Sequence, residues 1–144
     1  MKITFRRIVC LIMALCLISA MTTAYARSSL TLDAYSAGCV AESGGKIAIW
    51  IDVIGTNPRM DKIGSDAIYL YESTDDVHYT RVATFEPEDY PAMLTTNDIS
   101  YYKTVATYQG IPGRYYYALV YCYAEKNGVS DSKPYETATV RAIH

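Results

Sequence analysis

Histidine is almost missing from this chain: two occur in 144 residues, His78 and His144. His78 stands beside a hairpin turn and His144 is the last residue, so neither is placed as a general base or a metal ligand. No H-E-x-x-H, G-x-S-x-G or glycine-rich phosphate loop is present. Without a nucleophile, base or metal set at workable spacing, the chain reads as a non-enzyme that needs no cofactor. Runs of one charge are also lacking, and charged residues make up only 19% of the chain. That leaves no basic patch to neutralise nucleic-acid phosphates, which excludes that partner class. The carboxylates that do cluster, Asp75-Asp76 and Glu86, Glu88, Asp89 and Asp98, lie in turns. They lack the alternating register of a calcium loop and read as solvated loop charge rather than a glycosidase pair.

One long apolar run exists, at the N-terminus. Lys2, Arg6 and Arg7 precede the stretch Ile8–Ile18, and Ala24-Tyr25-Ala26 supplies small residues at −3 and −1. These are the parts of a secretory signal, with cleavage expected after Ala26, and the run is too short to span a bilayer. The alternative is lipidation at Cys16, although Leu15 stands where a lipobox has a small residue. Residues 1–26 are thus read as the leader and 27–144 as one exported domain with no membrane span. Removing the three leader cations from 13 basic residues leaves 10 against 15 acidic, a net charge of −5.

After Arg27 the chain alternates short β-branched and aromatic runs with turn residues, the pattern of an all-β domain. Strands are expected over 29–41, 46–55, 67–73, 78–85, 100–109, 114–125 and 133–142. Residues 56–66 read as a loop and 86–98 as a helical turn or irregular crossing. In 46–55, Ile47, Ile49, Ile51 and Val53 share one face and Trp50 takes the other. In GRYYYALVYCYAEKNG (113–128) the same rule places Tyr116, Ala118, Val120, Cys122 and Ala124 inward. Tyr115, Tyr117, Leu119, Tyr121 and Tyr123 then face outward. Seven strands without a helix imply a two-sheet β-sandwich.

The motif Y-x-A-x-V-x-C-x-A (116–124) followed by KNGVSDS resembles the sixth strand and following turn of a fibronectin type III domain, of the immunoglobulin-like class. KIAIWIDV (46–53) resembles the second strand of that family, which also carries a tryptophan. Y-x-S-x-D-D-x-x-Y-T-x-V (71–82) is similar to its third-strand hairpin, with Tyr79 at the usual aromatic position. More narrowly, the chain resembles a family of small, functionally unassigned secreted proteins of Gram-positive gut bacteria. In these a GT…MDKIG loop recurs, matched here by Gly55-Thr56 and Met60–Gly64. The resemblance implies fold and compartment and brings no catalytic residue.

Two cysteines remain after the leader, Cys39 and Cys122. An even pair in an oxidising compartment reads as a disulfide, with two separate buried thiols as the alternative. A bridge would close a long loop and stabilise by about 4 kcal/mol. It would also require the first strand to bend inward at Gly38, because the two strands belong to opposite sheets about 10 Å apart.

The expected function is binding. Tyr117, Tyr121 and Tyr123, joined by Trp50 or by Tyr69 and Tyr71 from other strands, form the candidate face for a glycan, cell wall or host protein. The alternative for these tyrosines is a structural role, since tyrosine suits exposed strands and stabilises them through cross-strand pairs. The alternative is a structural subunit that assembles through its edge strands.

Overall fold

A computed structural model describes residues 29–144. The expected leader, its cleavage after Ala26 and the lipidation alternative at Cys16 lie outside the described residues. Nine strands follow in order: β1 (Leu32–Ala41), β2 (Lys46–Gly55), β3 (Lys62–Ser73), β4 (Thr80–Phe85), β5 (Leu94–Thr95), β6 (Ser100–Gln109), β7 (Tyr115–Lys126), β8 (Val129–Glu136) and β9 (Val140–Arg141). They build two antiparallel sheets, a three-stranded one ordered β1-β2-β6 and a larger one ordered β4-β3-β7-β8. The short β5 adds to β3 and the short β9 to β7 at the margins of the larger sheet. The fold is an all-β sandwich of seven principal strands, as the alternation implies.

Parity explains the core. Ile47, Ile49, Ile51 and Val53 are fully buried and meet Ile68, Leu70, Ala118, Val120 and Cys122 from the facing sheet. Each isoleucine taken out of water contributes roughly 1.5–3 kcal/mol, so this layer is the main stabilising contact between the sheets. Tyr116 is also fully buried, at the sandwich end, where its hydroxyl accepts the Ile111 N–H at 2.9 Å and donates to Glu72. Arg114 pairs with the same carboxylate.

Two segments differ from the expected boundaries. β3 begins at Lys62, five residues before the expected start, so Ile63, Gly64 and Ser65 are buried strand rather than loop. Turn residues in MDKIGSD mask the strand because Gly64 adopts φ 147° and lies against β5, where a Cβ would stand 2.0 Å from the Met93 carbonyl. The last expected strand begins earlier and is interrupted. β8 covers Val129–Glu136 and β9 resumes at Val140, with Thr137 turned inward between them.

The MDKIG stretch ties loops together. Met60 is fully buried, and Asp61 accepts Lys126 Nζ at 3.0 Å and the Asn127 N–H at 2.7 Å. At the start of the described chain, one Asp131 oxygen accepts Ser29 Oγ at 2.7 Å and the Leu30 N–H at 2.8 Å, fastening β8 to the entrance of β1.

The expected Cys39–Cys122 disulfide is corrected: both residues are free thiols. Cys39 lies beside Ala118 and Thr137, and Thr137 Oγ1 donates to its Sγ at 3.4 Å. Cys122 stands four residues further along β7, paired with Ser65 and Lys133. Four residues of strand span about 13 Å, twice the Cα separation a disulfide tolerates. Gly38 makes no inward bend, because β1 holds continuous register with β2 from Ala34 to Ala41.

Candidate binding faces

Strands β3 and β7, with Tyr79 just before β4, bring outward aromatics to one surface of the larger sheet. Tyr71 and Tyr117 are register partners and stack, with ring centroids 4.9 Å apart and planes 7° apart. Tyr79 closes on Tyr117 edge-first at 4.8 Å. Tyr69 meets Tyr121 edge-first at 5.7 Å, a diagonal pair because Ala67 is the direct partner of Tyr121. The guanidinium of Arg81 lies 5.1 Å over the Tyr69 ring, a cation–π contact that continues the layer onto β4. The rings tile one another, so each is half-buried while the layer as a whole faces outward.

Burial raises two of the phenols on β7. Tyr117 sits above the ordinary tyrosine value, first through desolvation and then through Glu136 and Tyr71. Tyr123 is raised by desolvation and by the hydrogen bond that its hydroxyl donates to Glu125 at 2.5 Å. Both therefore remain protonated near neutrality and offer neutral hydroxyl groups at the rim of an apolar layer.

Tyr123 ends the tyrosine row at an open groove of about 430 Å³. Lys62, Asp66, Glu86, Glu88 and Leu94 line the rest of it. The volume falls within the range of small-ligand clefts. Asp66 accepts Ser132 Oγ at 3.0 Å and Glu125 approaches Lys62 at 3.6 Å, so the charges near the rim are partly held by neighbours.

Of the residues singled out from the sequence, Tyr117, Tyr121 and Tyr123 share this surface, as their parity implies. Trp50 does not join them. It lies on β2 in the three-stranded sheet, opposite the buried isoleucines, and so faces outward on the other side of the sandwich. Cross-sheet placement cannot be read from one strand's alternation, which gives face but not sheet. Tyr69, Tyr71, Tyr79 and Arg81 complete the tyrosine surface. The alternation of Tyr79 and Arg81 in HYTRVATF was the available signal for the β4 contribution.

The remaining candidates are accounted for locally. Asp75 accepts the Val77 and His78 N–H groups at 3.0 and 2.9 Å, and its other oxygen meets His78 Nδ1 at 2.7 Å. These bonds, led by that from the His78 backbone, hold the Asp75 carboxyl below the usual carboxylate range and fix the hairpin tip. Among the described residues no group of three or more His, Cys, Asp or Glu side chains is arranged to hold a metal ion.

No protein-family model matches this chain, and neither a curated protein nor a solved structure shows significant similarity to it.

Proposed function

We propose that the protein is an exported, non-catalytic binding module that recognises a glycan, cell-wall or host-protein surface through the tyrosine layer. One observation carries this reading: the outer face of the larger sheet presents two packed tyrosine groups, Tyr71–Tyr117–Tyr79 and Tyr69–Tyr121, where a sandwich normally presents polar side chains. Rigid phenols combine apolar contact area with hydroxyl groups and lose little conformational entropy when they bind. The adjoining groove gives the layer a concave end.

The finer classification as a fibronectin type III-like, immunoglobulin-like domain belongs to the same proposal. Three strands ordered β1-β2-β6 against four ordered β4-β3-β7-β8 support it. So does Tyr116, which stands at the start of β7 and bonds back to the Ile111 backbone in the manner of a tyrosine corner.

A second reading, assembly through edge strands, is favoured by β6. This ten-residue strand ends the three-stranded sheet and pairs only with β2 among the described residues. An uncovered edge of that length can pair with another copy. β8 is less suited to pairing, since Pro134 lacks the N–H that a ladder requires.

The test is retention of the purified protein on insoluble peptidoglycan, mucin and whole bacterial cells, beside a Tyr121→Ser/Tyr123→Ser variant whose melting is checked. Retention that the folded variant loses supports the tyrosine layer. Equal retention of both proteins removes that layer from recognition. Concentration-dependent size without retention favours assembly.

A further inference from the structure

The other side of the sandwich carries a second aromatic pair. Trp50 projects from β2 onto the outer face of the three-stranded sheet and covers Gly38 of the edge strand β1. A Cβ at Gly38 would stand 2.5 Å from the indole Cε2 and Cζ2 and 2.6 Å from Nε1, so the ring occupies the space that a side chain would need. Tyr102 reaches the same ring from the opposite edge strand, β6. Its centroid is 5.9 Å from that of Trp50, with the planes inclined at 48°. Tyr102 is 72% exposed, the most open tyrosine on the outer surface, and it has no aromatic partner other than Trp50 among the described residues.

Polar groups flank the pair on its own face. Asp52 lies directly across from Tyr102 and from Ser36, and Thr104 lies directly across from Trp50. The Asp52 carboxylate takes part in no ion pair among the described residues. No protein acceptor is found there for the indole N–H, and no buried side-chain nitrogen or oxygen lacks a partner, so this donor is open to solvent. The surface thus offers two inclined rings, a free N–H donor, a free carboxylate acceptor and small hydroxyl groups. A pyranose with equatorial substituents has the matching chemistry: an apolar face of axial C–H bonds and a rim of hydroxyls that both donate and accept. A purely apolar protein surface would leave the Asp52 carboxylate and the indole N–H without partners, which is costly once water is excluded.

We propose that Trp50 and Tyr102 form a stacking platform for a β-linked, equatorially substituted pyranose, with the Asp52 carboxylate accepting from its hydroxyls. The site rests on the reading of the protein as a binding module and assigns it a glycan ligand on the face opposite the tyrosine layer.

Trp50 is the only tryptophan in the chain, so its emission reports this site alone. The probes are chitohexaose and cellohexaose, titrated into the full secreted protein. The expected result is a saturable change in Trp50 emission with at least one of them. Tyr102→Ala should weaken that binding about tenfold without lowering the melting temperature, in proportion to one lost stacking contact. Asp52→Asn should weaken it by a smaller factor, and Val77→Ser, at the exposed hairpin tip, should leave it unchanged. Emission that stays constant with both probes, or an affinity that is unchanged in Tyr102→Ala, overturns the platform. The two faces are separable. Retention on solids that depends on Tyr121 and Tyr123, with Trp50 silent, would sink the platform and leave the tyrosine layer standing. A Trp50 response lost in Tyr102→Ala, with retention indifferent to Tyr121 and Tyr123, would do the reverse.

Discussion

Tyr116 and Glu72 are joined by a hydrogen bond between strands β7 and β3, inside the end of the sandwich. The phenol is fully buried, and its oxygen also accepts the Ile111 N–H. Replacing it with phenylalanine keeps the ring and removes both bonds, leaving the Ile111 N–H without its acceptor and Glu72 with only Arg114. Tyr116→Phe should therefore lower unfolding free energy by about 1–3 kcal/mol. Tyr117→Phe, one residue along but on the outer face, should stay within about 0.5 kcal/mol. Equal losses in chemical denaturation would mean that the inward and outward faces of β7 are misassigned.

The separation of Cys39 from Cys122 has a direct chemical consequence. In denaturant and without reductant, a thiol reagent should modify both Cys39 and Cys122, two groups per molecule of the 27–144 chain. In the native state both should react slowly, because burial raises each thiol, Cys122 from 9.0 to about 12. Finding no free thiol after denaturation would restore the disulfide and require a different register for β1.

These cysteines show where the sequence stops being informative. Alternation along β7 is enough to place Tyr116, Ala118, Val120, Cys122 and Ala124 inward, because side-chain period is a local property. It is also enough to turn Trp50 away from the isoleucines. Which residues of different strands stand level with one another is set by register, and register depends on turns and bulges such as the shift between Ser65 and Ala67. For that reason the tyrosine face was legible strand by strand, whereas the transfer of Trp50 to the opposite side and the offset of the two cysteines by about four residues of strand were not. The early start of β3 was hidden by a different cause, a glycine that reads as a turn but serves the close approach of β5.

Stability should fall on the alkaline side in a defined window. Desolvation, with the Glu72 hydrogen bond, raises Tyr116 from 10.0 to about 12, and desolvation raises Cys122 from 9.0 to about 12. Both groups are protonated in the fold, so their contribution is complete below pH 9. It is lost as pH rises toward 12, since the unfolded chain releases these protons first. Cys122→Ala should flatten the pH 9–10 part of the slope, measured by denaturant midpoints. An unchanged slope would show that Cys122 is not shielded from solvent. On the acid side, Asp75 and Asp131 are held below 3.8 by hydrogen bonds, so their contribution is present above that value and is lost as pH falls further.

Gly64 supplies a test of the β3–β5 pairing. Its φ of 147° and the Met93 carbonyl facing it leave no room for a methyl group. Gly64→Ala should lower stability by roughly 1–3 kcal/mol or more, as expected for an imposed steric and backbone conflict. Gly128→Ala, at a turn with open space around it, should cost less than Gly64→Ala. A neutral Gly64→Ala variant would mean that β5 does not pair this closely with β3.

Binding is the central claim, and a saturation isotherm of the purified protein on insoluble peptidoglycan and on mucin tests it most directly. The binding-module reading requires saturable retention on at least one of them, displaced by soluble fragments of the same polymer. Retention that never saturates, or none on either polymer at any protein concentration, would contradict it.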